Sequence, residues 1–245
     1  MRVAESSNYT LQAHGRRNRC LPRAAAAGVS IALCFSVLLS GCDISDNSDS
    51  TNKVNGSVHV PAGKPATAVS TVNGSIHIAD TATVTSATTV NGSIHVGDHA
   101  TATLLNTVNG SITLGKGAQV SGAINAVNGE MDLAEGADVA GALSNVNGKI
   151  TITGAHVGGG IKTVDASMSI TGASKIEGGI LVQKPSNELL HFGEDVPRIV
   201  IGPGATVQGD LKFERKVDLY VSDKATIGTV IGATAMTYSG DLPPK

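Results

Sequence analysis

Val72-Asn73-Gly74-Ser75-Ile76-His77-Ile78 is one copy of a stretch that the chain repeats. Full copies stand at Val54-Asn55-Gly56-Ser57-Val58-His59-Val60, Val90-Asn91-Gly92-Ser93-Ile94-His95-Val96 and Val108-Asn109-Gly110-Ser111-Ile112-Thr113-Leu114. Shorter ones follow at Val127-Asn128-Gly129 and Val146-Asn147-Gly148, and a degraded one at Val164-Asp165-Ala166. The asparagines at 55, 73, 91, 109, 128 and 147 are spaced by 18 or 19 residues. A fixed period of this length marks a solenoid, because a unit too small to bury its own apolar face must stack on the next copy.

Inside each unit the apolar residues recur every six: Val72, Ile78, Val84, Val90, Val96, then Ala102, Val108, Leu114 and Val120. Several hexads carry Ala at the fifth place, as in Ile78-Ala-Asp-Thr-Ala-Thr83 and Val96-Gly-Asp-His-Ala-Thr101. Three short strands per coil of about 18 residues is the geometry this implies. Strand alternation places Val72, Gly74, Ile76 and Ile78 inward, and Asn73, Ser75 and His77 outward or at a corner. Coils stacked about 4.8 Å apart would pair each strand above and below. The expected fold is therefore all-β, a single-domain parallel β-helix over residues 54–240. The general hand of parallel crossovers favours a right-handed coil. The strict hexads resemble the left-handed helix of hexapeptide acyltransferases, which keeps that hand open.

Composition agrees with a narrow aliphatic core. Aromatics are 2% with no Trp, while 41% of the chain is hydrophobic, so Val, Ile, Leu and Ala must fill the interior, and 30 glycines supply turns. A net charge of −2 gives no long-range attraction for nucleic acid.

Residues 1–41 read as an export signal. Arg16, Arg17, Arg19 and Arg23 precede an uncharged run from Ala24 to Leu39, too short to span a bilayer of roughly 20 helical residues. The run ends in Leu39-Ser40-Gly41-Cys42, which resembles the lipobox of bacterial lipoproteins. That resemblance implies removal of 1–41 and lipid attachment at Cys42, by diacylglyceryl on sulfur and an acyl chain such as palmitate on the amine. It also implies a cell-envelope address, on the periplasmic face of the inner membrane or at the outer membrane. Two or more chains would make the anchor durable. Cys20 and Cys34 lie in the removed segment, so no disulfide framework is expected. Residues 42–53 read as the lipidated Cys and a flexible polar tether, and 241–245 as a tail.

Gln183 to Arg198 departs from the repeat, and Pro185, Asn187, Gly193 and Pro197 mark a side loop over 183–198. The repeat resumes at Ile201-Gly-Pro-Gly-Ala-Thr-Val207 and Val221-Ser-Asp-Lys-Ala-Thr-Ile227. These last coils resemble bactofilins, a polymer-forming cytoskeletal β-helix family, and the Val-Asn-Gly coils resemble the putative-adhesin β-solenoids of bacterial envelopes.

Two columns are candidate sites. Asn55, Asn73, Asn91, Asn109, Asn128 and Asn147 should stack as a structural amide ladder, with sugar binding as the alternative. His59, His77 and His95 form the second column, continued by Thr113 and Asp132. Neighbouring imidazoles could share a metal, but no carboxylate or Cys accompanies them, so an exposed polar ladder is the plainer reading. No cofactor motif appears and no catalytic set is assigned. An envelope acyltransferase or carbohydrate-active enzyme would have to draw on the side loop, with His191, Glu188, Glu194, Asp195 and Arg198. The sequence thus implies a lipid-anchored envelope structural or interaction protein, with a homo-polymer, an envelope protein or a glycan as partner classes. An adhesin-type binding module is the leading alternative.

Overall fold

A computed structural model describes residues 51–63, 65–185 and 196–244. The export signal, Cys42 and the central part of the side loop, 186–195, lie outside the described residues. Twenty-three strands and no helix make up the described chain, and every pairing between successive coils is parallel. The register steps one coil at a time. Ile76 faces Ile94, Ile94 faces Ile112, Ile112 faces Met131, and the column runs on through Ile150, Met168, Ile199 and Leu219. The chain is a parallel β-solenoid with a continuous aliphatic core. Every member of that column from Ile76 to Leu219 is buried.

Each coil turns at the small residue of its hexad. Ala82, Ala100, Ala118, Ala137 and Ala205 are buried, and the N–H of each closes a tight turn on the carbonyl three residues earlier, at 3.0–3.3 Å. The residue before the small one takes a left-handed backbone. This suits Gly117 and Gly136 (φ 63° and 75°) but is imposed on Thr81 and His99 (φ 59° and 55°). A β-branched residue there is strained, since its Cβ crowds the backbone.

Strand segments merge differently along the stack. In the early coils the first two faces run together as Thr83–Asn91 and Thr101–Asn109, and the third is a three-residue strand such as Ile94–Val96. In the middle coils the second and third faces merge into Ile124–Leu133, Leu143–Thr153 and Ile161–Thr171. The late coils show three separate short strands, as in Arg198–Ile201, Thr206–Val207 and Leu211–Phe213.

Three expectations from sequence need correction. Val72, Val90 and Val108 do not point into the core; they are half-buried, and the threonines before them, Thr71, Thr89 and Thr107, are the buried residues at 3%, 0% and 4% exposure. Alternation counted back from Ile76 fails because the Asn-Gly corner shifts its phase by one residue. A hydroxyl is tolerated inside because it has a partner: Thr71, Thr89 and Thr107 donate to the carbonyls of Gly56, Gly74 and Gly92 at 3.0–3.1 Å.

The tether boundary also moves. Thr51–Asn55 is already a strand, pairing in register with Ala66–Asn73, although all five of its residues are exposed. Backbone pairing and the Ser70 Oγ to Asn52 Oδ1 hydrogen bond (2.7 Å) hold it, and polar composition conceals such a strand. Finally, Arg198 belongs to the strand Arg198–Ile201 rather than to the side loop. On the other side of the loop Gln183 still donates to Thr163 O at 2.8 Å, so the departure from the coil is narrower than 183–198.

Candidate functional site

The Asn-Gly corner is the most regular exposed feature of the molecule. Asn73 Nδ2 donates to Asn55 Oδ1, Asn91 to Asn73 and Asn109 to Asn91, each at 3.0 Å, and Asn128 to Asn109 at 3.1 Å. Asn147 continues the register after Asn128. From Gly74 onward the glycine behind each amide is required by space, whereas Gly56 in the first coil is not. A Cβ on Gly92, Gly110 or Gly129 would stand 2.0 Å from the carbonyl oxygen of the glycine one coil earlier. The serines that follow form a third line: the N–H groups of Ser75, Ser93 and Ser111 donate to the Oγ of the preceding serine at 3.2–3.3 Å. At the opposite turn Asp80 and Asp98 accept from the N–H groups of Asp98 and Lys116 at 2.9 and 2.7 Å. Repeated polar side chains are thereby engaged by the next copy of themselves or by its backbone.

The amide column ends in a charge pair. Asp165 follows Asn147 in register, and Arg215 Nη1 donates to its Oδ1 at 2.7 Å and to Val164 O at 3.3 Å, with both side chains largely shielded. The degraded Val164-Asp165-Ala166 copy is thus a distinct corner. Ala166 is fully buried there, and its N–H donates to Thr163 Oγ1 at 3.0 Å.

His59, His77 and His95 are in register on one face, with Thr113 next. The His77 and His95 rings stack at 4.9 Å between centroids and 11° between planes. Imidazole lone pairs lie in the ring plane, and two near-parallel planes share no point at which one metal could bond both. Among the described residues no group of three or more His, Cys, Asp or Glu side chains is arranged to hold a metal ion. Partial burial, and secondarily the charge of His77, lower the pKa of His95.

A second polar cluster, on the face that carries Thr83, Thr101 and Gln119 in earlier coils, escapes sequence reading. His156 Nδ1 lies 2.6 Å from Asp138 Oδ1, its Nε2 lies 3.4 Å from Glu177 Oε1, and Lys175 Nζ meets the same Glu177 oxygen at 2.7 Å. The Nε2 contact is near enough for an ion pair but is not aligned as a hydrogen bond. Lys175, and after it His156, hold the Glu177 carboxyl below its usual range. The two carboxylates flank opposite sides of one ring, so the cluster ties three coils together without forming a convergent pocket. The register Gln119, Asp138, His156, Lys175 was the available signal, but four different residues carry no visible repeat.

Of the side-loop residues, His191, Glu188, Glu194 and Asp195 lie outside the described residues. Arg198 lies among the described residues: its guanidinium stacks over the Tyr220 ring at 4.6 Å and donates to Pro244 O, fastening the C-terminal tail.

Fold and surface together define a β-solenoid whose described polar arrays brace its own coils. Comparisons with protein-family models, curated proteins and solved structures return no match.

Proposed function

We propose that this chain is a lipid-anchored envelope protein whose β-solenoid is a structural and interaction module that associates with copies of itself. The observation that carries this reading is the state of its strand edges. Thr51–Asn55 and Val58–Val60 at one end, and Thr226–Ile227, Val230–Ile231 and Ala235–Tyr238 at the other, pair on one side only among the described residues. Unpaired edges are templates for further strand pairing. Anchoring rests on the lipobox-like Leu39-Ser40-Gly41-Cys42 and would hold the solenoid at a membrane face through the short segment before Thr51. The bactofilin-like late coils are in keeping with self-association, and the even spacing of the Asn and His columns favours an adhesin-type binding module as the second reading.

Two measurements test the proposal. Metabolic labelling with palmitate should mark the protein, and Cys42→Ser should abolish both the label and membrane recovery; an unlabelled wild type would refute the anchor. Electron microscopy and light scattering of the purified protein should show assemblies above one chain. Single rods at every concentration, retained on an envelope glycan or protein, would favour the adhesin-type module instead.

A further inference from the structure

The two ends of the solenoid differ in a way that selects how copies can join. We infer, resting on the self-association reading, that the C-terminal coil is a tail-to-tail dimerisation surface, and that the N-terminal end is blunted against pairing.

At the N-terminal end the first described strand places exposed polar residues where the next coils place buried ones, apolar in one column and hydroxyl-bearing in the other. Thr51 stands in the column of Val69, Ala87 and Leu105, and Lys53 in the column of Thr71, Thr89 and Thr107. Lys53 folds over the end and donates to Ser57 O at 2.9 Å. Stacking another coil on this end would bury its ammonium against a core column, at the cost of desolvating an ion with no carboxylate supplied. An inward-column lysine on an edge strand is a recognised block to edge pairing.

The C-terminal end has the opposite character. Ile227, Val230 and Ala235 extend the core columns of Val207, Leu211 and Leu219 but are only partly covered, and Thr237 ends the column of Val221; Ile231 and Met236, 45% and 42% exposed, follow Lys212 and Tyr220 on the outward side of the same strands. After Tyr238, itself buried, the tail reaches back to Arg198, two coils earlier, whose guanidinium lies over Tyr220 and donates to Pro244 O. Among the described residues the end face therefore offers three strand edges paired on one side only, around a largely apolar centre. Another coil end of the same kind supplies both backbone partners and apolar cover.

Head-to-tail stacking would place Lys53 of one copy on this apolar face and would grow without limit. A two-fold axis perpendicular to the stack instead maps the C-terminal face onto itself. Ala235–Tyr238, the longest of the three strands, then lies on the axis and pairs antiparallel with its own copy, while Thr226–Ile227 and Val230–Ile231 exchange partners. The assembly closes at two chains.

Sedimentation of the full-length protein in density-matched detergent tests this. Two-chain particles are expected. Met236→Lys and Ile231→Lys, both at exposed positions and so compatible with folding, should each weaken association about tenfold by placing like charges across the new ladder. Circular dichroism should stay unchanged, and Lys53→Glu should leave the two-chain particle intact. An open series of larger masses, or a two-chain particle indifferent to both C-terminal variants, would overturn the tail-to-tail surface while leaving self-association standing. Single chains at all concentrations would overturn self-association itself.

Discussion

The early coils, from Val58 to Leu114, and the late coils, from Ile161 to Tyr238, share one core but lock their surfaces differently. In the early coils one bond repeats from coil to coil: asparagine to asparagine, serine to the next serine's N–H, and threonine hydroxyl to the glycine carbonyl one coil earlier. In the late coils unlike residues are matched, as in Arg215 with Asp165, Arg198 with Tyr220 and Lys212 with Glu214 at 2.8 Å. Identical-residue ladders demand an unbroken register, whereas matched pairs permit an insertion such as 186–195 between coils. The regular half is therefore locked by repetition, and the irregular half by pairs that occur once.

Breaking the regular half at its glycines should have the largest effect. Gly92→Ala forces a Cβ to within 2.0 Å of a backbone oxygen, whereas Gly56→Ala meets nothing within 4 Å and pays only for its positive φ. Urea unfolding should show a loss of about 3 kcal/mol for the first and about 1 kcal/mol for the second. Equal losses would mean that the corner column is not a close backbone contact.

Arg215→Ala, in the irregular half, should cost about 2 kcal/mol, because Asp165 keeps its shielded carboxylate without the guanidinium. Arg215→Lys should recover only part of this, since an ammonium cannot reproduce the guanidinium's geometry toward both Asp165 and Val164 O. Full rescue would reduce the contact to net charge.

The buried hydroxyl column links the halves. Thr89→Val should cost about 1.5 kcal/mol by removing the donor to Gly74 O. In the same column Asn145 donates to Gly129 O at 3.1 Å but leaves its own Oδ1 buried and unpaired, so Asn145→Thr should stabilise by about 1 kcal/mol. Thermal melts of the two variants should move in opposite directions.

The smallest effect concerns pH. The folded pKa of His95 is lowered, so the unfolded chain binds its proton more readily. Stability should therefore be full above the unfolded value of about 6.5 and decline as pH falls below it. His95→Thr, which copies Thr113 one coil on, should flatten the melting temperature between about pH 5 and 7. An unchanged slope would assign the effect to other groups.

Coil length, stacking and the Asn and His columns were legible in the sequence because one residue type repeats at one position. Thr71 escaped because a corner shifts the strand phase, which a six-residue count ignores. Thr51 to Lys53 escaped because an edge strand held by its backbone needs no apolar residue. Asp165 with Arg215, and His156 with Asp138 and Glu177, escaped because their partners differ in type and, for Arg215, stand 50 residues away.

Hydrogen exchange on the full-length protein, from dilute to concentrated solution, tests most directly whether corners are architecture and the C-terminal end is where copies meet. The N–H groups of Gly74, Gly92 and Gly110, which donate to Asn91, Asn109 and Asn128 carbonyls, should exchange slowly at every concentration. Amides of 226–238 should slow as concentration rises, while those of 51–55 should not. Fast exchange at the corner glycines, or concentration-dependent protection at 51–55 with none at 226–238, would contradict the account.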